Sequence, residues 1–152
     1  MKNRTLLAIA TSLTLATASL PALADDAPKP LYERLGGLKG ITVVVDDFID
    51  HLVVNKTLNK NLAIDAGRKR SPAPYLKFQV SQLVCEATSG PCKYTGKGMN
   101  ESHVRLNISE KEWGIMAGEF KKSLDKFMVP AAEQKELFDI VGKTKADIVT
   151  RP

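Results

Sequence analysis

One of the two histidines of the chain, His103, lies within KYTGKGMNESHVRLNIS, residues 93–109. A buried imidazole serves core packing, proton transfer or metal ligation. Proton transfer is disfavoured because no Ser, Cys or Asp motif with catalytic spacing lies nearby. The other histidine, His51, is two residues past Ile49 on a different helix face and is predicted to lie at the surface. The residue itself leaves a structural role and a metal-ligating role open for His103.

Helical periodicity dominates the residues that must position His103. Apolar residues at spacings of three and four predict helices near residues 41–52, from 74 to 87 and from 113 to 127. Ser109 and Glu112 form a capping box at the start of the third helix, and Pro130 begins a last one. Short helical segments are expected at 31–35 and 99–104, a polar turn at 56–62 and a loop at 63–74. No strand pair is expected, so the predicted fold class is all-α.

His103 is therefore predicted to follow a glycine-rich loop and to lie between two apolar helices. An apolar cleft with one imidazole on its wall suits haem, because apolar side chains cover the macrocycle and one nitrogen holds the iron. At this point the sequence resembles the truncated haemoglobins, most nearly group I, from residue 31 to about 149. The resemblance is carried by LYERLGG, ITVVVDDF and, most specifically, the SGPCKYTGKGMNESHVRLNIS segment followed by Trp113.

The resemblance implies a truncated globin fold, a two-over-two helical sandwich that binds haem b. It makes His103 the axial metal ligand, with its ring held by a main-chain carbonyl near Met99. It also implies a diatomic gas, oxygen or nitric oxide, as the ligand. The other positions implied to contact the cofactor are Phe48, Ile49, Leu62, Tyr75, Phe78, Gln79 and Met116. The haem propionates could pair with basic residues among Arg68, Lys69, Arg70, Lys77 and Arg105.

Two positions depart from the family pattern. Ile49 stands where the family usually has a tyrosine that stabilises oxygen, and Leu62 stands where a phenylalanine packs on the haem. Tyr75 lies four residues before Gln79 on the same helix face. Either Tyr75 and Gln79 together replace the missing hydroxyl, or Tyr75 packs at the haem edge with its hydroxyl in water. Phe78 stands where some relatives have a second haem-binding histidine, so bis-histidine ligation is not expected.

Residues 1–24 have the pattern of a secretory signal peptide, with Lys2, Arg4, an apolar run and an A-x-A site at 22–24. The run is short and interrupted, so no stable membrane insertion is expected. Residues 25–30 are a polar lead-in, and residues 31–152 form one domain. The predicted location is periplasmic or secreted. In that compartment Cys85 and Cys92 are expected to form a disulfide rather than remain free thiols.

The charge of the chain narrows the class of partner. Removing residues 1–24 lowers the formal net charge from +5 to +3. This mild basicity comes without a basic stripe interleaved with aromatic residues, so no nucleic acid partner is predicted.

Three functions remain open from the sequence. The first is a haem globin that reversibly binds a diatomic gas. The second is a haem-dependent redox enzyme or electron carrier with an unidentified redox partner. The third is a non-haem helical interaction module. It remains open because Ile49 and Leu62 replace the tyrosine and the phenylalanine that the family usually has at these positions.

Overall fold

The computed structural model describes residues 28–151. The predicted signal peptide, the first part of the predicted lead-in and Pro152 lie outside these residues. The helices are α1 (Leu31–Arg34), α2 (Gly37–Val54), α3 (Leu62–Arg70), α4 (Ala73–Ala87), α5 (Met99–His103), α6 (Glu110–Lys126), α7 (Ala131–Gly142) and α8 (Lys145–Ile148). A 3₁₀ turn spans Leu58–Lys60, and two short strands are β1 (Ile108–Ser109) and β2 (Val149–Arg151).

The predicted signals begin and end several of these helices. Gly36 and Gly37 have φ angles of 82° and 67°, which glycine adopts without a side-chain clash. Gly36 follows α1 as the N-cap of α2, and Gly37 is the first residue of α2. At the start of α6, the Glu112 main-chain N–H donates to Ser109 Oγ at 3.3 Å, and the Ser109 N–H donates to Glu112 Oε2 at 2.8 Å. This is the predicted capping box. Helices form almost all the regular structure of residues 28–151, which confirms the predicted all-α class.

Two expectations about local structure were wrong. A turn to residue 62 and a loop over 63–74 were expected, but Leu62–Arg70 form helix α3. The helix begins there because the Asn61 side chain accepts hydrogen bonds from Ala63 N at 3.0 Å and Ile64 N at 3.4 Å. Basic residues in the last turn of α3 also suit the negative end of its helix dipole. The structure also contains a parallel strand pair, with Ile108 opposite Val149. This pair forms because the end of the described chain returns beside the start of α6.

Helix α2 packs against both α4 and α6. The ring centroids of Phe48 in α2 and Phe120 in α6 are 5.2 Å apart, and Phe120 is 5.3 Å from Phe138 in α7. Offset and tilted aromatic pairs of this kind add stabilisation beyond their buried area. One aromatic cluster therefore joins α2, α6 and α7.

The expected disulfide between Cys85 and Cys92 is present, and both residues pack in the core. Their Cα atoms are 5.7 Å apart across seven positions of sequence. No helix within residues 28–151 is long and apolar enough to cross a membrane.

Candidate functional site

A cavity of about 990 Å³ is lined by residues from α2 through α6 and by α7 and α8 at one end. This volume is at the upper end of the range of about 300–1,000 Å³ for small-molecule sites. Its walls are mostly apolar. The aliphatic and aromatic lining from the three longest helices consists of Val45, Phe48, Ile49, Leu52, Val53, Tyr75, Leu76, Val80, Val84, Trp113, Met116 and Phe120. A lining of this kind favours a large, mainly apolar ligand over water.

His103 is at the end of α5 and is part of the cavity wall. Its Nδ1 is 2.8 Å from the main-chain oxygen of Met99. A carbonyl oxygen only accepts hydrogen bonds, so Nδ1 donates and Nε2 keeps a free lone pair. Burial lowers the pKa of His103, and the hydrogen bond to Met99 opposes that effect in part. The ring is therefore neutral at neutral pH and oriented by its second nitrogen, as a metal-ligating imidazole must be.

Gln79 on α4 contributes a polar group to the mostly apolar cavity wall. Its amide oxygen is buried and has no hydrogen-bond partner within the protein. An unsatisfied buried polar atom costs about 1–3 kcal/mol, so a ligand that hydrogen-bonds to this amide would recover part of that free energy. A carboxamide has both donors and an acceptor, so Gln79 can meet either kind of ligand atom.

The structure brings six of the eight predicted site residues to this one cavity. They are Phe48, Ile49, Tyr75, Gln79, His103 and Met116. Tyr75 is 47% exposed, which places it at the mouth of the cavity, whereas Ile49 is almost fully buried.

The structure places the other two predicted residues outside the cavity lining. Leu62 is 82% exposed at the first position of α3, and the cavity is lined there by Leu58 and Ile64. Phe78 is 58% exposed. It directly precedes Gln79, and successive helical residues point about 100° apart, so Phe78 leaves the cavity face of α4. Leu62 and Phe78 are thus not brought to the cavity with the other predicted site residues.

Leu58, Ile64 and Tyr94 are examples of lining residues that the sequence did not single out. Leu58 and Tyr94 lie in a 3₁₀ turn and an irregular segment, where no periodicity indicates a buried face. Ile64 belongs to α3. The Asn61 cap and the apolar pair Ile64 and Gly67, three residues apart, were the signals that could have identified this wall.

The basic residues differ in their surroundings. Lys77 is 2.9 Å from carboxylate oxygens of both Asp46 and Asp50 and is not part of the cavity lining. Arg68 and Lys69 both pair with Asp65, at 2.6 Å and 3.0 Å.

Arg70 and Arg105 line the cavity and form no ion pair within residues 28–151. They are therefore the best placed guanidinium groups for an anionic part of a ligand at the mouth.

His51 lies outside the cavity lining. Its ring nitrogens are 3.8 Å from Asp47 and 3.7 Å from Glu119, and its side chain is 36% exposed. This position agrees with the predicted surface or boundary histidine. Among the described residues that line the cavity, His103 is the one imidazole.

Known proteins resemble the chain in sequence and in fold. A sequence-family model described as bacterial-like globin matches residues 30–150. A group 1 truncated haemoglobin of Mycolicibacterium paratuberculosis is 25% identical over 123 residues, which cover 81% of this chain and 86% of that protein. Another, from Chlamydomonas moewusii, is 21% identical and covers 93% of this chain and 81% of its own length.

Solved structures show the same fold at low sequence identity. The truncated haemoglobin of Tetrahymena pyriformis in its Fe(III) form has a TM-score of 0.69 and 20% identity, covering 80% of this chain and 98% of that one. The 2/2 haemoglobin of a Synechococcus species, solved in the cyanomet state with covalently attached haem, has a TM-score of 0.70 and 19% identity. It covers 81% of this chain and 100% of that one. The predicted truncated globin fold is thereby confirmed.

Proposed function

The chain belongs to the bacterial-like globin family, and from that membership we propose that it binds haem b through His103 and takes up a diatomic gas, oxygen or nitric oxide, reversibly. One observation carries the proposal. The neutral His103 imidazole, oriented by the Met99 carbonyl, lines a large apolar cavity that also contains the unsatisfied amide of Gln79.

The residues present fit haem in size, chemistry and charge. The cavity volume and apolar lining match a flat hydrophobic macrocycle, and His103 supplies a nitrogen with a free lone pair. Arg70 and Arg105 at the mouth would pair with the propionate groups. Haem supplies an iron atom that coordinates the gas, which no side chain of this cavity does.

The protein contributes three effects around that iron. His103 holds it, and its hydrogen bond to Met99 keeps the ring from rotating. The walls from α2, α4 and α6 exclude bulk water, which strengthens any hydrogen bond made inside. Gln79 offers the hydrogen bond that the missing distal tyrosine would give, while Ile49 contributes only apolar contact.

The exposure of Tyr75 favours one of the two sequence-based alternatives. A side chain that is 47% exposed can cover the haem edge and keep its hydroxyl in water. We therefore assign the distal hydrogen bond to Gln79 and an edge-covering role to Tyr75. The redox-enzyme alternative gains no specific support, because peroxide cleavage usually needs a distal acid–base pair and the described lining contains no second histidine.

The test is the absorption spectrum of the purified protein after titration with ferric haem. We expect a Soret band with one haem per chain in the wild type and in His51→Ala, because His51 lies outside the cavity. His103→Ala should lose the band position and intensity of an imidazole-ligated iron and bind haem at least about tenfold more weakly. An identical spectrum and affinity in His103→Ala would refute ligation by this residue. A wild type that shows no Soret band would favour the non-haem interaction module.

We further propose that the protein is exported and works in the periplasm or outside the cell. The support is the signal-peptide pattern of residues 1–24 and a disulfide, which persists in oxidising compartments. N-terminal sequencing of the protein from cell fractions tests this, and we expect the mature chain to begin at Asp25. A retained Met1 in the soluble cell extract would contradict export.

A further inference from the structure

The disulfide between Cys85 and Cys92 lies where two walls of the cavity are joined. Cys85 is fully buried in the last turn of α4, the helix of Gln79. Cys92 lies in residues 88–98, which lead from α4 to α5 and His103, and which we call the connector. The disulfide therefore ties the connector to the end of α4.

Few other bonds hold the middle of the connector. Within the described chain, no hydrogen bond between main-chain groups involves residues 91–97. The Tyr94 N–H donates to Glu86 Oε2 at 3.3 Å, which is longer than a typical hydrogen bond. The Tyr94 hydroxyl donates to the carbonyl of Lys97 at 2.8 Å, but this bond stays within the connector. Lys97 is joined to α5 by an exposed ion pair with Glu101 at 3.0 Å and by a 3.4 Å hydrogen bond from Ser102 Oγ to its carbonyl. Tyr94 and Lys97 also line the cavity, and the disulfide is the covalent tie between this part of the wall and α4.

The turn before Cys92 is closed tightly around the disulfide. A Cβ atom on Gly90 would lie 2.7 Å from both the carbonyl oxygen and the Sγ of Cys85, and it would overlap the Tyr32 ring. Tyr32 N also donates to the Thr88 carbonyl at 2.9 Å. The start of the connector is therefore packed closely against α4 and α1, and the Gly90 N–H also donates to the Cys85 carbonyl at 2.7 Å. Beyond this turn, the disulfide holds Cys92 to α4.

We propose that the Cys85–Cys92 disulfide controls haem retention according to redox state. With the bond formed, the connector is held against α4 and closes the cavity wall between the helix of Gln79 and the helix of His103. With the bond reduced, the connector is released and the haem escapes faster. This inference rests on the proposed haem-binding function.

The reductant is a small dithiol. Its thiolate attacks Cys92 Sγ, the more accessible sulfur, because Cys92 is half-buried and Cys85 is 0% exposed. The bond between the two protein sulfurs breaks, and Cys85 leaves as a thiolate that takes up a proton. The second thiol of the dithiol then attacks the mixed disulfide. The dithiol ends as a disulfide, and the protein ends with two thiols.

Haem transfer to excess apomyoglobin measures retention directly. One sample is treated with dithiothreitol, cleared of it by gel filtration under argon and loaded with ferric haem, and a second is kept oxidised. We expect reduction to speed haem transfer about tenfold. Cys92→Ser, which leaves the buried Cys85 in place, should transfer haem at the fast rate with or without dithiothreitol. Equal rates for oxidised and reduced wild-type protein would overturn the proposal.

Limited trypsin digestion of the apoprotein gives a second readout that needs no haem. Lys93 and Lys97 are exposed in the connector. Reduction should speed cleavage after these residues several-fold more than cleavage after Lys135, an exposed lysine of α7. Unchanged cleavage of the connector would count against its release.

The two proposals fail in distinguishable ways. Failure of haem binding in both redox states refutes the proposed function, and the trypsin result still decides whether the disulfide holds the connector. Haem bound through His103 and lost at the same rate in both redox states refutes only the redox control.

Discussion

His103 and Gln79 both line the cavity but differ in their hydrogen bonding. His103 has its orienting hydrogen bond within the protein, whereas the amide oxygen of Gln79 has none. The first arrangement keeps an imidazole ready for a metal without a ligand present. The second leaves hydrogen-bonding capacity for whatever enters the cavity. Under the proposed function, His103 would hold the cofactor and Gln79 would recognise the gas.

Replacing Gln79 tests this division. Gln79→Leu removes the amide and leaves a side chain of similar size, so we expect oxygen to dissociate about tenfold faster, which corresponds to about 1.4 kcal/mol. Tyr75→Phe is the matched control, because Tyr75 lies four residues earlier on α4 and is 47% exposed. Its oxygen dissociation rate should stay within about twofold of the wild type.

Flash photolysis or stopped-flow mixing of the oxygen complex measures both rates. A faster rate in Tyr75→Phe would move the distal hydrogen bond to the tyrosine. Unchanged rates in both variants would refute the distal assignment altogether.

At the scale of elements, α6 depends on the hydrogen bonds at its first turn. Ser109 Oγ is bonded to both the main chain and the carboxylate of Glu112, and both residues are buried. This turn directly follows β1 and comes just before Trp113 and Met116 of the cavity wall. A loose start to α6 would therefore alter the cavity as well as the fold.

We expect Ser109→Ala to lower the free energy of unfolding by about 1 kcal/mol, because it removes the N-cap acceptor. Ser102→Ala is the control, since the hydroxyl of Ser102 in α5 makes a single 3.4 Å hydrogen bond, to the carbonyl of Lys97. Urea denaturation of the two apoproteins and the wild type measures the difference. A Ser109→Ala protein as stable as Ser102→Ala would show that the cap contributes little.

Periodicity predicted the long helices and missed α3 and the strand pair for physical reasons. α2, α4 and α6 carry apolar residues at helical spacing over several turns, so their buried faces can be read from the sequence. α3 has nine residues and a strongly basic last turn, and its apolar face is short. β1 and β2 contain two and three residues, too few for an alternating pattern, and their pairing depends on where the chain ends in space.

The candidate site shows the same limit. The helices that present His103 and Gln79 follow from periodicity, whereas the roles of the two side chains come from the resemblance to the truncated haemoglobins. The exposure of Leu62 depends on the direction of α3, which no local pattern specifies. Arg70 and Arg105 are singled out only because neighbouring carboxylates pair with the other basic residues.

At the scale of the whole molecule, one ion pair joins the end of the described chain to the start of α6. Arg151 in β2 is 3.2 Å from the carboxylate of Glu112, whose side chain is 10% exposed. Burial raises the pKa of Glu112, but the hydrogen bonds from Ser109 and the charge of Arg151 outweigh it, so the pKa lies below its usual range. The ionised carboxylate is thus part of the folded state.

The sign of the pH dependence follows from that lowered pKa. The stabilisation by Glu112 is fully present above the ordinary glutamate pKa of about 4.3 and is lost as the pH falls through the lower folded value. We expect Glu112→Gln to be about 1–2 kcal/mol less stable than wild type at pH 7, with the gap narrowing below about pH 4.3.

Urea denaturation at several pH values measures this gap. Glu110→Gln is the control, because its carboxylate is 56% exposed and pairs with Lys145 at the surface. A gap between wild type and Glu112→Gln that stays constant down to pH 3 would refute a role for the charge.

The hydrogen bond from His103 to Met99 ends on a main-chain oxygen. Exchange of the side chain at position 99 therefore keeps the acceptor, and any effect of such an exchange comes from the Met99 side chain as part of the cavity lining. A change that unwinds this single turn would free the imidazole to rotate, and Ser102→Pro is one, because it removes the hydrogen bond from Ser102 N to the Gly98 carbonyl. A deep scan of variants would thus register the importance of this contact at the neighbouring codons and not at the one that supplies the oxygen.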